Sequence, residues 1–475
     1  MIALSVHGQG GMSGYSLILS TDKEVEVCDS NAQYIIKDIS VTGNRRTKDA
    51  TILRELSFDV NESFNLSDFA RKFNIAKQQL MNTGLFRNVE VSMRSRNDHE
   101  VFVNVDVEER WYFYPLPFVK VVDDKFGKWW NEKNHNLDQL IYGIRLTQGN
   151  VTGRNDNLYV TLMNGYTTEV AIEYKGLTLD KDMKWYTNIN LGYGKNHEIN
   201  YGTNYNKQLP VKVNNDYLHT FSRALVDVTY RPAIKVRHTF HAGYLYERIA
   251  DTVMGLNKSY LPSGTSLLYP ELGYTLSYSN LDYNPYPTQG FAGDASIMKL
   301  GFSSKLNMWQ FVTRASSSWR LSPKDFFNVR AVGMLKLPFE QPYLMQRFIG
   351  SGDYFIQGYE NYTIDGVAGA YAKATIGHSL INTSIRIPTV RFTNLTSIPL
   401  KVYAKAFVNT GYIYNKYSDE TLTNVKIDNY LNNKMIYSAG FGLDIVAFTD
   451  LIVKLEWSWN QLGQNGLYLH QRERY

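Results

Sequence analysis

Nine histidines, one cysteine and scattered carboxylates are the groups in this 475-residue chain that could carry covalent or proton-transfer chemistry. His197 and His219 have charged neighbours in Lys195, Glu198 and Asp216, surroundings that can tune an imidazole for general acid–base work. Their spacing suits no metal site, and neither an HExxH nor a GxSxG motif occurs. These histidines read as loop or strand-end residues. Cys28, the single cysteine, excludes an internal disulfide framework and a cysteine-based zinc cluster. Polar pairs such as Lys454 and Glu456 read as wall lining. The expectation is a protein without catalytic residues, metal or cofactor. One stretch stands apart, YFIQGYENYTIDG from Tyr354 to Gly366, with a glycine between Gln357 and Tyr359 and a carboxylate at Glu360.

Composition narrows the class of protein that could use such a stretch. Aromatic residues make up 14% of the chain, including 35 tyrosines, and charged residues only 20%. A net charge of +5 without a strong basic run gives no face for nucleic acid. No stretch approaches the ~18 consecutive apolar residues of a membrane helix, but a barrel strand needs only about 9–11 residues with alternating apolar positions. A barrel of that kind needs a signal peptide. The opening MIALSVHGQG lacks the basic start and long apolar core of one, and reads either as the tail of a signal or as a mature terminus.

The first hundred residues predict a small α+β domain, after an N-terminal segment over 1–32. Ile35, Lys37, Ile39 and Val41 run as a strand into the turn at Gly43-Asn44, and Thr47 is placed to cap a helix through Ile52, Leu53 and Leu56. Phe69, Phe73, Ala76 and Leu80 make the apolar stripe of a second helix that stops at Gly84. Val101, Val103, Val105 and Val107 then alternate with mostly polar residues, and Asp106, Glu108 and Glu109 read as a solvated strand end. A strand–helix–helix–strand–strand unit of this size leaves a sheet edge open, which is a liability or a rail for an extended client chain.

From residue 115 the pattern is that of a transmembrane barrel. Sixteen strands are expected to begin near 117, 141, 156, 168, 184, 214, 233, 268, 289, 306, 325, 379, 400, 436, 450 and 466. In one, Ile381, Thr383, Ile385 and Ile387 alternate with Asn382, Ser384 and Arg386; in another, Val402, Ala404, Ala406 and Val408 alternate with Lys401, Tyr403, Lys405, Phe407 and Asn409. A third sets Leu451, Val453, Leu455, Trp457 and Trp459 against Ile452, Lys454, Glu456 and Ser458. An apolar outside and a charged inside fit a wet lumen facing away from lipid, with closure supplying every edge with a partner. Longer connections are expected at 197–213, 249–265, 337–378 and 414–433.

The single small domain ending in GLFRNVEV (Gly84 to Val91) and VDVEER (Val105 to Arg110), followed by a barrel with a glycine–tyrosine motif in a long late loop, resembles the BamA-like outer-membrane assembly and translocation family. The resemblance covers residues 33 to 475, and YPLPF and NVTGRNDN (Asn150 to Asn157) look like members from Bacteroidota. It implies a mainly β protein: one α+β POTRA domain at 33–110 in the periplasm and a 16-stranded antiparallel barrel over 111–475, whose sixth loop folds into the lumen. The family's loop carries arginine, glycine and an aromatic, and the arginine pairs with an aspartate from a phenylalanine–any residue–aspartate strand motif. The loop motif falls here on Gln357, Gly358 and Tyr359, with Glu360 after it. The strand motif falls on Phe407, Val408 and Asn409, followed by Thr410 and Gly411. Both ionic positions are neutral, so Gln357 and Asn409 are expected to exchange amide hydrogen bonds in place of the salt bridge. The polar run His470 to Arg474 before Tyr475 departs from the family's aromatic closing strand.

The resemblance further implies an assembly or translocation factor without cofactors. Its partners would be the outer-membrane bilayer, unfolded outer-membrane or secreted polypeptides, and other subunits of an outer-membrane complex. The neutral loop pair, single periplasmic domain and unusual terminus favour the alternative of a structural scaffold from the same family. An open diffusion pore is disfavoured by an inserted loop.

Overall fold

The computed structural model describes residues 2–5, 16–19, 32–97, 99–121, 140–213, 216–350, 354–386, 397–416, 421–422, 425–447 and 451–471. The chain divides into two compact units, the first comprising Met1–Tyr114 with Gln148–Asn157 and Gly176–Thr178, the second the remainder.

In the first unit, strands β1 (Ile2–Ser5), β2 (Ser16–Leu19), β3 (Tyr34–Thr42), β4 (Ser63–Phe64), β5 (Phe86–Asn97) and β6 (Glu100–Glu109) form one sheet in the order β2-β1-β5-β6-β3-β4. Helices α1 (Asp49–Leu53) and α2 (Leu66–Asn82) complete it. The alternating valines of β6 and the α2 stripe of Phe69, Phe73, Ala76 and Leu80 are all buried in a single core. Asn65 caps α2 by accepting the Asp68 N–H at 2.8 Å, and Gly84 beyond its end has φ +73°.

Two expectations are corrected here. The cap position of α1 is Lys48, without a side-chain bond, and the helix ends at Leu53. Thr47 instead donates to Glu109 through its hydroxyl at 2.5 Å and its backbone N–H at 2.6 Å. Glu109 is therefore a bonded carboxylate, not a solvated strand end. The described sheet is open, as expected, with its edges at β2 and β4. β1 runs antiparallel to β5 in the register Ala3↔Arg94, Leu4↔Met93, Ser5↔Ser92, so the N-terminal segment supplies a strand to the sheet.

The second unit is built on sixteen antiparallel strands. They are β7 (Phe113–Val121), β8 (Leu140–Gly149), β9 (Asn157–Gly165), β10 (Thr167–Thr178), β11 (Trp185–Asn196), β14 (His219–Ala233), β15 (Val236–Ile249) and β16 (Ser266–Leu281). The rest are β17 (Gly290–Leu300), β18 (Met308–Arg320), β19 (Asp325–Leu337), β20 (Ala368–Arg386), β21 (Ser397–Tyr414), β24 (Met435–Ala447), β25 (Leu451–Asn460) and β26 (Asn465–Gln471). Two hairpins lie in the connections, β12 (Glu198–Asn204) with β13 (Lys207–Lys212) and β22 (Thr421–Leu422) with β23 (Val425–Lys426).

The side-chain alternation of β21 and β25 is as read from sequence. Lys405, Phe407, Asn409, Lys454, Glu456 and Ser458 are buried, while Val408, Leu455, Trp457 and Trp459 are exposed. β20 differs. It begins at Ala368, eleven residues before the expected start, and its register with β21 shifts between Ser379 and Ile381. Ahead of the shift Tyr371 and Lys373 are buried; beyond it Asn382 is exposed alongside Ile381 and Ile385. Residues 380–385 are exposed on both faces, so the alternation read there is not matched by alternating burial. Ile387 lies outside the described residues.

β7 and β26 are the first and last strands of the sheet order. The Tyr112 carbonyl, just before β7, accepts the Gly149 N–H at 2.6 Å. Pro115 and Pro117 lie within β7, and neither has a backbone N–H to donate. At the other end, Leu467 and Leu469 of β26 point outward and His470 is half-buried on the opposite face. Residues 472–475 lie outside the described residues.

Candidate functional site

Antiparallel alternation puts the four long connections at one end of the sheet, since each leads from an odd-numbered to an even-numbered strand in the order from β7 to β26. The longest, from Pro338 to Val367, is the sixth. An antiparallel bridge between Ile349 and Ile364 closes its base, through hydrogen bonds of 3.0 and 3.1 Å. The tip beyond that bridge is buried. Ile356, Tyr359, Tyr362 and Ile364 pack in one cluster with Val332 of β19, Tyr371 of β20, Ile413 of β21 and Ile436 of β24.

Gly358 has φ +89°, and a Cβ there would lie 2.8 Å from the Ser438 Cβ. Only glycine meets both the backbone conformation and the close approach to β24. Two backbone carbonyls of the tip are held by neutral side chains from the wall. Gln357 O accepts from Ser438 Oγ at 2.5 Å and from Asn409 Nδ2 at 3.4 Å. Gly358 O accepts from Asn460 Nδ2 at 2.7 Å. Glu360 folds back so that both carboxylate oxygens accept the Gly358 N–H, at 3.0 and 2.9 Å. Tyr359 donates its hydroxyl to Tyr437 O at 2.9 Å. Gly411 gives room for the loop, since a Cβ on it would lie 3.3 Å from Ile356 Cδ1. Phe407 lies over Gly440, where a Cβ would approach the Phe407 ring to 2.5 Å.

The loop and strand motifs are therefore brought together, but the expected amide-to-amide exchange is not formed. Asn409 reaches the backbone of Gln357 and the Ser438 hydroxyl, at 3.0 Å. The Gln357 side chain turns away to donate to Glu456 Oε1 at 3.4 Å. Gln357 Oε1 and Asn409 Oδ1 have no hydrogen-bond partner among the described residues.

The lumen charge lies beside the loop motif, in the wall. Glu456 is completely buried and takes hydrogen bonds from Lys405 Nζ and His470 Nδ1. Lys405 also pairs with Asp444 at 2.7 Å, and Tyr286 donates to Asp444 at 2.9 Å. His470 lies 3.6 Å from Glu360, so the last strand reaches both the wall carboxylate and the loop tip. Buried charges persist when paired in this way, because each alone is costly to desolvate. Sequence reading took Glu456 and Lys405 as lumen lining and missed the cluster, whose members come from four strands.

A second missed residue is Asn206, fully buried with φ +53° at the β12–β13 turn. It accepts the Leu431 N–H at 2.9 Å, donates to Asn432 at 2.9 Å, and its carbonyl takes the Thr363 N–H at 2.9 Å. Three long connections are locked at one asparagine. His197 and His219 have separate partners, the Asp216 carbonyl at 2.7 Å for one and the Glu247 carboxylate for the other. They form no joint site.

Comparison with known proteins agrees with this architecture. A model of the POTRA domain, described as a surface antigen variable number repeat, matches residues 34–110. A model of the Omp85 superfamily domain matches residues 150–447. No curated protein matches the chain. Among solved structures, BamA from Haemophilus ducreyi lacking POTRA domains 1–3 is 16% identical with a TM-score of 0.50, over 92% of this chain and 83% of that one. CdiB from Escherichia coli is 10% identical with a TM-score of 0.49, over 95% and 92% of the two chains.

Proposed function

Because the chain belongs to the Omp85 superfamily, we propose that it is a non-enzymatic factor that assembles outer-membrane proteins or passes polypeptides across the outer membrane. In this reading the POTRA domain lies in the periplasm and positions an unfolded client, while the barrel assists its insertion or passage. The work comes from strand pairing and disturbance of the bilayer, without cofactor or bond chemistry. The observation that carries it is the domain order, a POTRA domain over residues 34–110 followed by an Omp85 domain over residues 150–447. In this reading an extended client pairs with β26 by strand addition. β7 lacks two backbone donors at Pro115 and Pro117, which weakens its pairing with a neighbouring strand.

A second reading, a scaffold that holds other outer-membrane subunits, is favoured by one feature. The loop tip is pinned by neutral wall side chains, an arrangement that occupies the lumen and needs no turnover. Depletion in cells separates the two. Under the first reading, folded barrel proteins fall across the outer-membrane proteome measured by mass spectrometry. Loss confined to subunits that copurify with the chain supports the second, and an unchanged proteome with no copurifying subunit rules out both.

A further inference from the structure

The turn over residues 282–289 joins β16 to β17 at the end of the sheet opposite the long connections. It does not stay at the rim. Tyr286, at its centre, is buried among inward side chains of distant strands. Its ring stacks on Tyr403 of β21 with centroids 4.7 Å apart, and meets Phe326 of β19 edge-on at 5.8 Å. Its hydroxyl donates to Asp444 of β24 at 2.9 Å. In the sheet order β18, β19 and β20 separate β17 from β21. At about 4.8 Å per strand that is roughly 19 Å along the wall, so the stacked rings meet across the lumen.

The sequence of the turn holds this shape. Pro285 and Pro287 flank Tyr286, and each fixes its own φ. The Asp282 carboxylate accepts the N–H groups of Tyr283, Thr288 and Gln289 at 2.9, 3.0 and 3.1 Å, and the Thr288 hydroxyl at 2.6 Å. Arg320 of β18 pairs with the same carboxylate at 3.2 Å, and Ser318 donates to Pro287 O at 3.4 Å. The base of the turn is thus anchored on β18 while its tip rests against β21 and β24.

Tyr286, Phe326, Tyr403, Val446 and Ile452 form one buried apolar cluster. Val446 and Ile452 pair nearer the β24–β25 turn than Asp444 and Lys454 do. The apolar layer therefore lies between the charged residues Asp444, Lys405 and Glu456 and the short-turn end. Apolar constrictions in a wet passage hold back water and ions. Water has space on the β14–β15 side of the lumen. There Asp227 and His241, which alternate with the outward Val226 and Phe240, keep side chains 34% and 21% exposed.

We propose that the 282–289 turn is an autoinhibitory plug: with Tyr286 seated against Tyr403 and Phe326, it bars ions and small solutes from the short-turn end of the lumen. Its seating depends on the barrel alone, whichever polypeptide the barrel handles.

The test is the conductance of the full chain in planar bilayers of phosphatidylethanolamine and phosphatidylglycerol, with potassium chloride on both sides. Tyr286→Ala removes the ring, and Tyr286→Phe keeps the ring without its hydroxyl. Asp282→Ala removes the acceptor that shapes the turn and leaves the aromatic layer untouched. The electrophoretic shift on heating checks that each variant folds. Tyr286→Ala and Asp282→Ala are expected to raise mean conductance about threefold or more, and Tyr286→Phe to leave it at the level of the unaltered protein. Unchanged conductance in a folded Tyr286→Ala overturns the proposal; should that variant not fold, unchanged conductance in Asp282→Ala does so. A Tyr286→Phe that conducts as much as Tyr286→Ala also overturns it, by placing the barrier in a hydrogen bond and not in the ring. Client assembly is no part of the readout, so an open turn in a working assembly factor and a closed turn in a scaffold are told apart.

Discussion

At Gln357 the wall grips the loop by its carbonyl, which every residue type possesses. Ser438 and Asn409 both donate to Gln357 O, and Asn460 donates to Gly358 O. The side chain at 357 is then free to differ from the family's arginine, provided the following glycine stays. Truncating a donor to a buried carbonyl leaves an acceptor unmade, a cost of about 1–3 kcal/mol. Asn460→Ala is therefore expected to lower barrel stability by that amount. Gln357→Ala, which removes only a 3.4 Å bond to Glu456, costs less. Urea titration in detergent, read by the electrophoretic shift of the folded barrel, ranks the two; a costlier Gln357→Ala would mean that the side chain holds the loop. The motif itself was legible, since Gly358 carries a requirement that only glycine meets. Ser438, Asn460 and Asp444 were not, because each is a single inward position whose meaning depends on which strand faces the loop tip.

Strands were the most legible elements, because an apolar residue at every second position survives without knowledge of neighbours. The exception is β20, where AGAYAKATIG offers small residues in place of β-branched ones. Its glycines have a packing reason: a Cβ on Gly369 would meet Phe348 of the sixth loop at 2.7 Å. The two prolines of β7 carry a prediction at this scale. Replacing Pro115 and Pro117 by valine restores two donors to β7, so under the proposed function its pairing with a neighbouring strand should tighten. The variant is expected to unfold at higher temperature and to assemble fewer client barrels; unchanged stability and assembly would remove the prolines from the account. In the small domain, burial raises the Glu109 carboxyl, but bonds from the Thr47 side chain and from the backbone of Thr47, Arg46 and Arg45 outweigh it and hold it below its ordinary range. A depressed carboxylate stabilises the fold above its unfolded value of about 4.3, and that contribution is lost as pH falls through the lower folded value. Hydrogen exchange of the Arg46 and Thr47 amides in the full chain should therefore lose protection on acidification below about pH 4. Thr47→Val should start with less protection and lose less. Equal pH dependence in the two proteins would show that this bond does not set acid stability.

Across the whole molecule, the two units have separate cores. The small unit has its own core of Phe69, Phe73, Val101 and Val105. The large unit has its own clusters beneath the loops, around Tyr359 and around Tyr260. Neither of these clusters draws buried residues from the other, although the 148–157 turn belongs to the small unit, where Asn150 donates to Thr47 at 2.9 Å and Thr51 to Gly153 O at 3.0 Å. Deleting residues 33–110 is accordingly expected to leave a barrel that still shows the heat-dependent electrophoretic shift, while client assembly in cells falls to the level of a depleted strain. The distinction lies in which property is lost. A deleted protein that neither folds nor reaches the membrane would mean that the barrel depends on the small unit for its own folding. One that folds and supports client assembly at the full rate would place client handling entirely in the barrel, with the β26 edge sufficient for it.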